Sequence, residues 1–313
     1  IENVASNLPR IDFTNDTKGH LLLEPQSTNL YTYSEDFSQS VWNKSNCNVT
    51  LTSEVAPNGN ANSVYNLTGT SANLYTSGSA NIEHTISFYI KSNGQGKDKF
   101  KLRLGNNVSV EYTATNKWVR YEFTSTPTTS VFGITTSSAP NNEFDLLIWG
   151  AQVEQLSFAT SYIPTSGSTV TRNAEVCDDS GSAQDFNSEE GVLYMEGARF
   201  KNDSNYCAIM INDDSINNVV GLKFRNTENL LIATSRNSGV STDIFYTFTD
   251  VSLFNKIALR YNSNSLTLFV NGQQVGNVSN PNIPSNLTNL ELKEANENFL
   301  GKVRDLQTFN TAL

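Results

Sequence analysis

Histidine is scarce in this 313-residue chain, which contains only His20 and His84. A hydrolytic triad needs an imidazole that a carboxylate orients beside a nucleophile. No G-x-S-x-G elbow is present to supply that nucleophile. His20 is expected in a turn and His84 just ahead of a strand, so both read as ordinary surface or loop residues. Cysteine is also scarce: Cys47, Cys177 and Cys207 are too few for a disulfide framework and fit no zinc spacing. Charge is thin, at 17% of residues against the usual ~25%. What there is leans acidic, with a net charge of −10. Up to Val176 there are 11 basic and 15 acidic residues, and after it 10 and 16, giving −4 and −6. Neither half suits the neutralisation of nucleic-acid phosphates. No apolar run approaches the ~18 residues of a spanning helix, so membrane insertion is not expected. Residues 1–10 lack the basic and apolar parts of a signal peptide, and Ile1 in place of Met suggests a processed fragment.

What the chain does have is neutral polarity and β-forming aromatics, with 12 Tyr, 17 Phe and 3 Trp. Period-two alternation punctuated by turns runs throughout. Ile86, Phe88 and Ile90 alternate with Ser87 and Tyr89; Val119, Tyr121 and Phe123 alternate with Arg120 and Glu122. Ile257, Leu259 and Tyr261 alternate with Ala258 and Arg260, and after Leu266, Leu268 and Val270 the pair Asn271-Gly272 predicts a tight hairpin turn. No ten-residue amphipathic helix is visible. The pattern predicts an all-β protein of two tandem antiparallel β-sandwiches. Residues 1–26 read as a separate lead-in, with a turn over residues 15–19 and a short buried strand at Leu21 to Leu23. Residues 27–176 form the first domain, 177–185 a polar, glycine-bearing linker, and 186–313 the second domain.

Certain residues carry a resemblance. Leu8-Pro9-Arg10-Ile11-Asp12-Phe13, Leu21-Leu22-Leu23-Glu24-Pro25-Gln26, Thr28-Asn29-Leu30, Tyr33-Ser34-Glu35-Asp36-Phe37 and Trp42 are followed much later by Ile148-Trp149-Gly150-Ala151-Gln152-Val153-Glu154. Thr160-Ser161-Tyr162-Ile163-Pro164-Thr165 and Thr169-Val170-Thr171-Arg172-Asn173-Ala174 close the series. This order resembles bacteriophage tail-fibre, head-fibre and other virion proteins carrying a carbohydrate-binding-module-like jelly roll. It departs at Ser27, where an arginine is common, and across residues 50–140, where only the pattern agrees. The second half resembles a laminin-G or concanavalin-A-like sandwich, through the hairpin of residues 257–272 and the closing stretch of residues 299–313. Both folds host many functions. The resemblance implies a virion location after assembly in the host cytoplasm, with cysteines free in that reducing compartment. It also implies contacts with other virion proteins and with a polysaccharide. Trimers are usual for phage fibres, although no heptad or collagen-like repeat is present to enforce one.

Sugars are held by aromatic rings on their C–H faces and by planar polar groups on their hydroxyls. Alternation puts Trp118 beside Arg120 and opposite Val119, Tyr121 and Phe123, and puts Tyr89 opposite Phe88 and Ile90. In the next strand Phe100, Leu102 and Leu104 face away from Lys97, Lys99, Lys101 and Arg103. If these strands are neighbours, Tyr89, Lys99, Lys101, Arg103, Trp118 and Arg120 form one surface suited to an acidic polysaccharide. Lysines on an edge strand also guard against unwanted pairing. Trp42 and Trp149 read as core. In the second domain Tyr246, between Phe245 and Phe248, reads as a rim aromatic. Related folds hold structural calcium through loop carboxylates, for which Asp145 is the candidate, with Asp178-Asp179 and Asp213-Asp214 behind it. Cleaving glycosidases of the second fold need carboxylates alternating on one strand. Glu189-Glu190, Glu291 with Glu294, and Glu143-x-Asp145 do not provide that. The expected function is therefore non-catalytic adhesion to cell-surface or environmental polysaccharide. A purely structural decoration protein and a depolymerase module are the alternatives.

Overall fold

The computed structural model describes residues 8–13, 17–138, 142–200, 207–225 and 229–312. Asn15 and Asp16 of the expected lead-in turn lie outside them. The lead-in supplies β1 (Ile11–Asp12) and β2 (His20–Leu23). Next come β3 (Ser27–Asn29), β4 (Asn43–Leu51), β5 (Tyr65–Ser77), β6 (His84–Ser92), β7 (Lys99–Leu104) and β8 (Asn107–Val108). They are followed by β9 (Tyr112–Thr113), β10 (Val119–Ser125), β11 (Val131–Thr136), β12 (Glu143–Glu154) and β13 (Val170–Arg172). The remainder holds β14 (Glu190–Arg199), β15 (Cys207–Asn212), β16 (Val219–Arg225), β17 (Leu230–Asn237), β18 (Val240–Thr247) and β19 (Asn255–Asn262). It ends with β20 (Ser265–Val270), β21 (Gln273–Ser279), β22 (Asn289–Glu291), β23 (Lys293–Glu294), β24 (Glu297–Asn298) and β25 (Gly301–Phe309). The protein is all-β, built as two sandwiches.

The division between them differs from the expectation at both ends. One unit is residues 26–173; the other joins residues 1–25 to residues 174–313. The lead-in is not separate, because Leu21, Leu22 and Leu23 of β2 pair with Val303, Lys302 and Gly301 of β25, and Leu23 enters the core of that unit. Nor do residues 177–185 form a free linker. The amide of Leu292 donates to the Cys177 carbonyl, and Ser180 and Leu290 exchange backbone hydrogen bonds. The join is locked by Arg10, whose guanidinium lies 2.5 Å from Glu24 and 2.9 Å from Glu175. His20 also departs from expectation. It opens β2, is buried, and sits 3.2 Å from the Asp12 carboxylate with its ring edge-on to Phe254.

In the unit of residues 26–173, the long β4–β5 hairpin serves both layers. The first half of β5 pairs with β12, which continues to β6 and β10; its second half pairs with β11, which continues to β7. The strands bend between layers at Asn46 and Ser71, which adopt positive φ of 52° and 49° beside a register shift in β4. Between the layers lie Ile86, Phe88 and Ile90, Phe100, Leu102 and Leu104, and Phe132 and Ile134, as the alternation predicts. Tyr121 and Phe123 pack against this core, whereas Val119, at the strand end, is exposed. Tyr31, Phe37 and Trp42 plug it from the loops. Gly133 is required by close approach: a Cβ there would stand 2.0 Å from the Leu74 carbonyl oxygen. His84 is fully buried against the Phe132 ring, and burial pushes its imidazole below the ordinary range despite a contact with the Ile82 carbonyl.

The departure at Ser27 has a structural counterpart. Glu154 is fully buried. Its carboxylate accepts from the Ser27 hydroxyl at 2.5 Å, from the Thr160 amide at 3.0 Å, and from the Thr160 hydroxyl. A hydroxyl thus serves a buried carboxylate. Ser27→Ala removes one donor and leaves charged lone pairs unmet, which costs about 1–3 kcal/mol. The urea midpoint is expected to fall with an unchanged slope; an unmoved midpoint would contradict the assignment.

The other unit stacks a seven-stranded sheet, ordered β1-β2-β25-β14-β19-β20-β21, on a five-stranded sheet, ordered β18-β17-β16-β15-β22. Leu193, Met195, Ile257, Leu259, Tyr261, Leu266 and Leu268 of the first meet Ile209, Ile211, Val220, Leu222, Phe224 and Leu231 of the second. Asn271 and Gly272, with φ of 51° and 82°, make the tight turn between β20 and β21 that the sequence announces. The three cysteines are free thiols.

Candidate functional site

The predicted surface is split in two. Phe100 on β7 meets Tyr121 on β10 edge-to-face across the core, 5.0 Å between centroids. The two strands therefore face each other, and their outward side chains point in opposite directions. Lys99, Lys101 and Arg103 lie on the outside of one layer, Tyr89, Trp118 and Arg120 on the outside of the other. The cations are engaged: Lys99 pairs with Glu111 at 2.8 Å, Lys101 donates to Ser138, and Arg103 donates to the Gly105 carbonyl and to Asn73.

Tyr89, Trp118 and Arg120 do come together, but as a small secondary core. Trp149 is buried there with Val64, Leu147 and Ala56, under Tyr89, Trp118 and Tyr162. The Trp149 ring is 4.7 Å from Tyr162 and 5.4 Å from Tyr89. Arg120 caps Tyr89 at 5.6 Å while donating to the Thr160 carbonyl and to Ser87. The Trp118 indole donates to the Val55 carbonyl at 3.0 Å. The polar tips of Trp118, Arg120 and Tyr162 are engaged within the protein. Trp149 is core, as expected, but on the outer side of its sheet.

Asp145 accepts the side-chain amides of Asn66 and Asn93 at 2.7 and 2.8 Å. These neighbours present hydrogens where a calcium ion needs oxygens. Asp178 pairs with Lys293, Asp213 accepts from Asn218, and Asp214 from Asn289. Among the described residues no three acidic, histidine or cysteine side chains gather as a metal site. Glu143 pairs with Lys97, and Glu294 with Lys223 and Arg236. Tyr246 is not a rim aromatic: it packs edge-on against Phe248 at the core, and its neighbour Phe245 is the exposed ring.

The sheet register produces a different site, on the outer face of the seven-stranded sheet. In β14, Leu193 and Met195 point inward, so Val192, Tyr194 and Glu196 point outward. Three strands distant in sequence align with them. Gln307, Tyr194, Ala258 and Phe269 form one cross-strand row, and Phe309, Val192, Arg260 and Thr267 the next. Asp305 and Glu196 are opposite in a third row. Val192, Tyr194, Ala258, Arg260, Phe269, Asp305, Gln307 and Phe309 line a cavity of about 430 Å³. Its shape follows from side-chain size. Ala258 keeps the floor low between Tyr194 and Phe269, which stand two strands apart, about 10 Å at the backbone. Gln307 donates to both Asp305 oxygens at 2.9 and 2.8 Å, and Arg304 holds Glu196 at 2.6 Å. Burial raises the Tyr194 phenol above its ordinary range, helped by the negative charges of Glu196 and Asp305, so it stays a neutral hydrogen-bond donor.

Sequence reasoning passed over this site. Its alternation was visible at Ala258 and Arg260, but the register that sets them beside Tyr194 and Gln307 is a long-range property with no local signal.

No family model matches the chain, and no curated protein matches it. Among solved structures it is similar to the CBM40 of Ruminococcus gnavus IT-sialidase, with 14% identity, TM-score 0.36, and coverage of 44% of this chain and 90% of that one. It is similar to a toad ovary galectin complexed with thio-digalactose, at 10% identity and TM-score 0.32, covering 42% and 98%. It is also similar to domains LG4-5 of the mouse laminin α1 chain, at 12% identity and TM-score 0.33, covering 92% and 85%. At these scores the likenesses carry no functional argument; the sandwich fold rests on the sheets themselves.

Proposed function

We propose that this is a non-catalytic, glycan-binding virion protein of a bacteriophage, a fibre or decoration protein that holds host or environmental polysaccharide. The observation that carries the binding reading is the cavity on the outer sheet face, with Tyr194, Phe269 and Phe309 as apolar walls and Gln307, Asp305 and Arg260 as planar polar groups. This is the pairing a pyranose needs: rings for its C–H faces, forked donors and acceptors for its hydroxyls. Binding is favoured over cleavage because Asp305 and Glu196 are each already held, by Gln307 and Arg304. The phage setting rests on the sequence resemblance over residues 8–176, as do contacts with other virion proteins and a trimeric assembly. A single open site of this kind binds modestly, and many copies on one particle supply avidity.

Tyr194→Ala removes one wall. With ring contacts worth about 0.5–1.5 kcal/mol each beyond area burial, its affinity for glycans that the native chain captures on an array is expected to fall about tenfold, with unchanged thermal stability. Retention of full affinity by a folded Tyr194→Ala protein would refute the site. Release of reducing ends from a bound polysaccharide would replace binding with catalysis.

A further inference from the structure

The site holds one cation, Arg260, that makes no ion pair with the cavity's own Asp305. Arg260 lines the cavity, with its guanidinium 5.8 Å from the Phe269 ring centroid and one terminal nitrogen donating to the Thr267 hydroxyl at 3.2 Å. Its Nε is buried and has no hydrogen-bond partner. Among the described residues no carboxylate lies in ion-pair contact with it. Other arginines of this unit contrast with it: Arg10 is held by Glu24 and Glu175, Arg236 by Glu294, and Arg304 by Glu196. The nearest acid on the same face, Glu190, sits one row away opposite Asn262 and makes no ion pair with Arg260, whereas Glu196 and Asp305 occupy a row two steps away on the other side and are satisfied by Arg304 and Gln307. The buried Nε is out of a ligand's reach, so the donors left for a ligand anion are those of the terminal nitrogens, whose planar fork matches a carboxylate in bidentate geometry.

We infer that Arg260 recognises the carboxylate of an acidic sugar, a uronate or a sialic acid, whose ring stacks between Tyr194 and Phe269. This inference rests on the glycan reading of the same face and adds the ligand's charge class. Ala258 leaves the room for the ring, and Val192 and Phe309 flank Arg260 in its row. The chain is acidic overall, at −10, so this recognition is local and owes nothing to long-range attraction.

The test compares acid with ester. Oligogalacturonate, hyaluronan oligosaccharides and oligo-N-acetylneuraminate are titrated into the full chain, each beside its carboxyl methyl ester, with a neutral glucan and a neutral galactan as controls. The ester keeps the ring and its hydroxyls and removes only the charge. At least one acid is expected to bind roughly tenfold to a hundredfold more tightly than its ester, the range of a charge-assisted hydrogen-bond pair. Arg260→Gln is expected to erase that preference, so that the acid and its ester bind within about twofold of one another. Arg260→Lys, which keeps the charge but loses the fork, is expected to retain part of it. Equal binding of acid and ester, a preference that survives in Arg260→Gln, or binding of neutral glycans alone would overturn the inference and leave the glycan site standing. Binding of no glycan would overturn both. The acid–ester comparison on the native chain needs no variant, so a poorly folding Arg260→Gln does not spoil the result.

Discussion

Arg10→Ala is expected to destabilise the sandwich of residues 1–25 and 174–313 by about 3–5 kcal/mol, the cost of breaking a buried ion pair by removing one partner. Arg10 and Glu24 are 8% and 4% exposed, so water does not replace the lost guanidinium. Two carboxylates converge on it, and Glu175 also accepts from the Glu24 amide at 2.6 Å. The substitution leaves both acids facing one another around a void. Exchanging Arg10 and Glu24 together for apolar residues of similar volume should cost far less, because the desolvation burden of the pair disappears with it. Hydrogen exchange in β2 and β25 is the appropriate measurement, since these strands lie closest to the lock. Unchanged protection there in Arg10→Ala would show that the lead-in is held by β-pairing alone.

Trp42→Ala is expected to cost the other sandwich about 3–5 kcal/mol, the range for deleting a buried large aromatic. Trp42 is 2% exposed and lies 4.7 Å from Tyr31, 5.0 Å from Phe37 and 6.2 Å from Phe88. Its indole donates to the Tyr33 carbonyl at 2.9 Å, so the loop of residues 30–42 loses a tether as well as its filling. The same loop is anchored by Asp36, which accepts from Tyr65, Gln39 and Ser38. Burial pushes that carboxyl up, but these hydrogen bonds outweigh it and hold it down at about 2. Trp42→Phe keeps most of the volume and loses only the hydrogen bond, and should cost markedly less. A near-ultraviolet dichroism change together with a fall in denaturation midpoint checks the prediction; a midpoint within error of the native chain would contradict it.

Much of the fold was legible because a half-buried strand writes its inward face into every second residue. Ile86, Phe88 and Ile90, or Phe100, Leu102 and Leu104, required no partner to be recognised. The same alternation named Tyr89, Trp118 and Arg120 as outward-facing, correctly, yet said nothing of what covers them. Trp149 and Tyr162 fold over that outer side and turn three outward residues into a second small core. The grouping of Lys99, Lys101 and Arg103 with them failed for the same reason: facing direction is local, whereas membership of a layer depends on strand order. The candidate site lay beyond reach on identical grounds. Tyr194, Arg260, Phe269 and Gln307 come from four strands whose adjacency is fixed only when β14 settles between β19 and β25. His20 was misplaced because a histidine before three leucines reads as the end of a loop until its Asp12 partner is seen.

The pairing of β2 with β25 also bears on biosynthesis. Leu21 meets Val303, so a nascent chain carries the apolar Leu21, Leu22 and Leu23 without their strand neighbour while about 280 further residues are made, on the order of 14–60 s at 5–20 residues per second. Residues 26–173 are all synthesised within that interval, so the β2–β25 pairing is formed only after the whole of the intervening unit has been made.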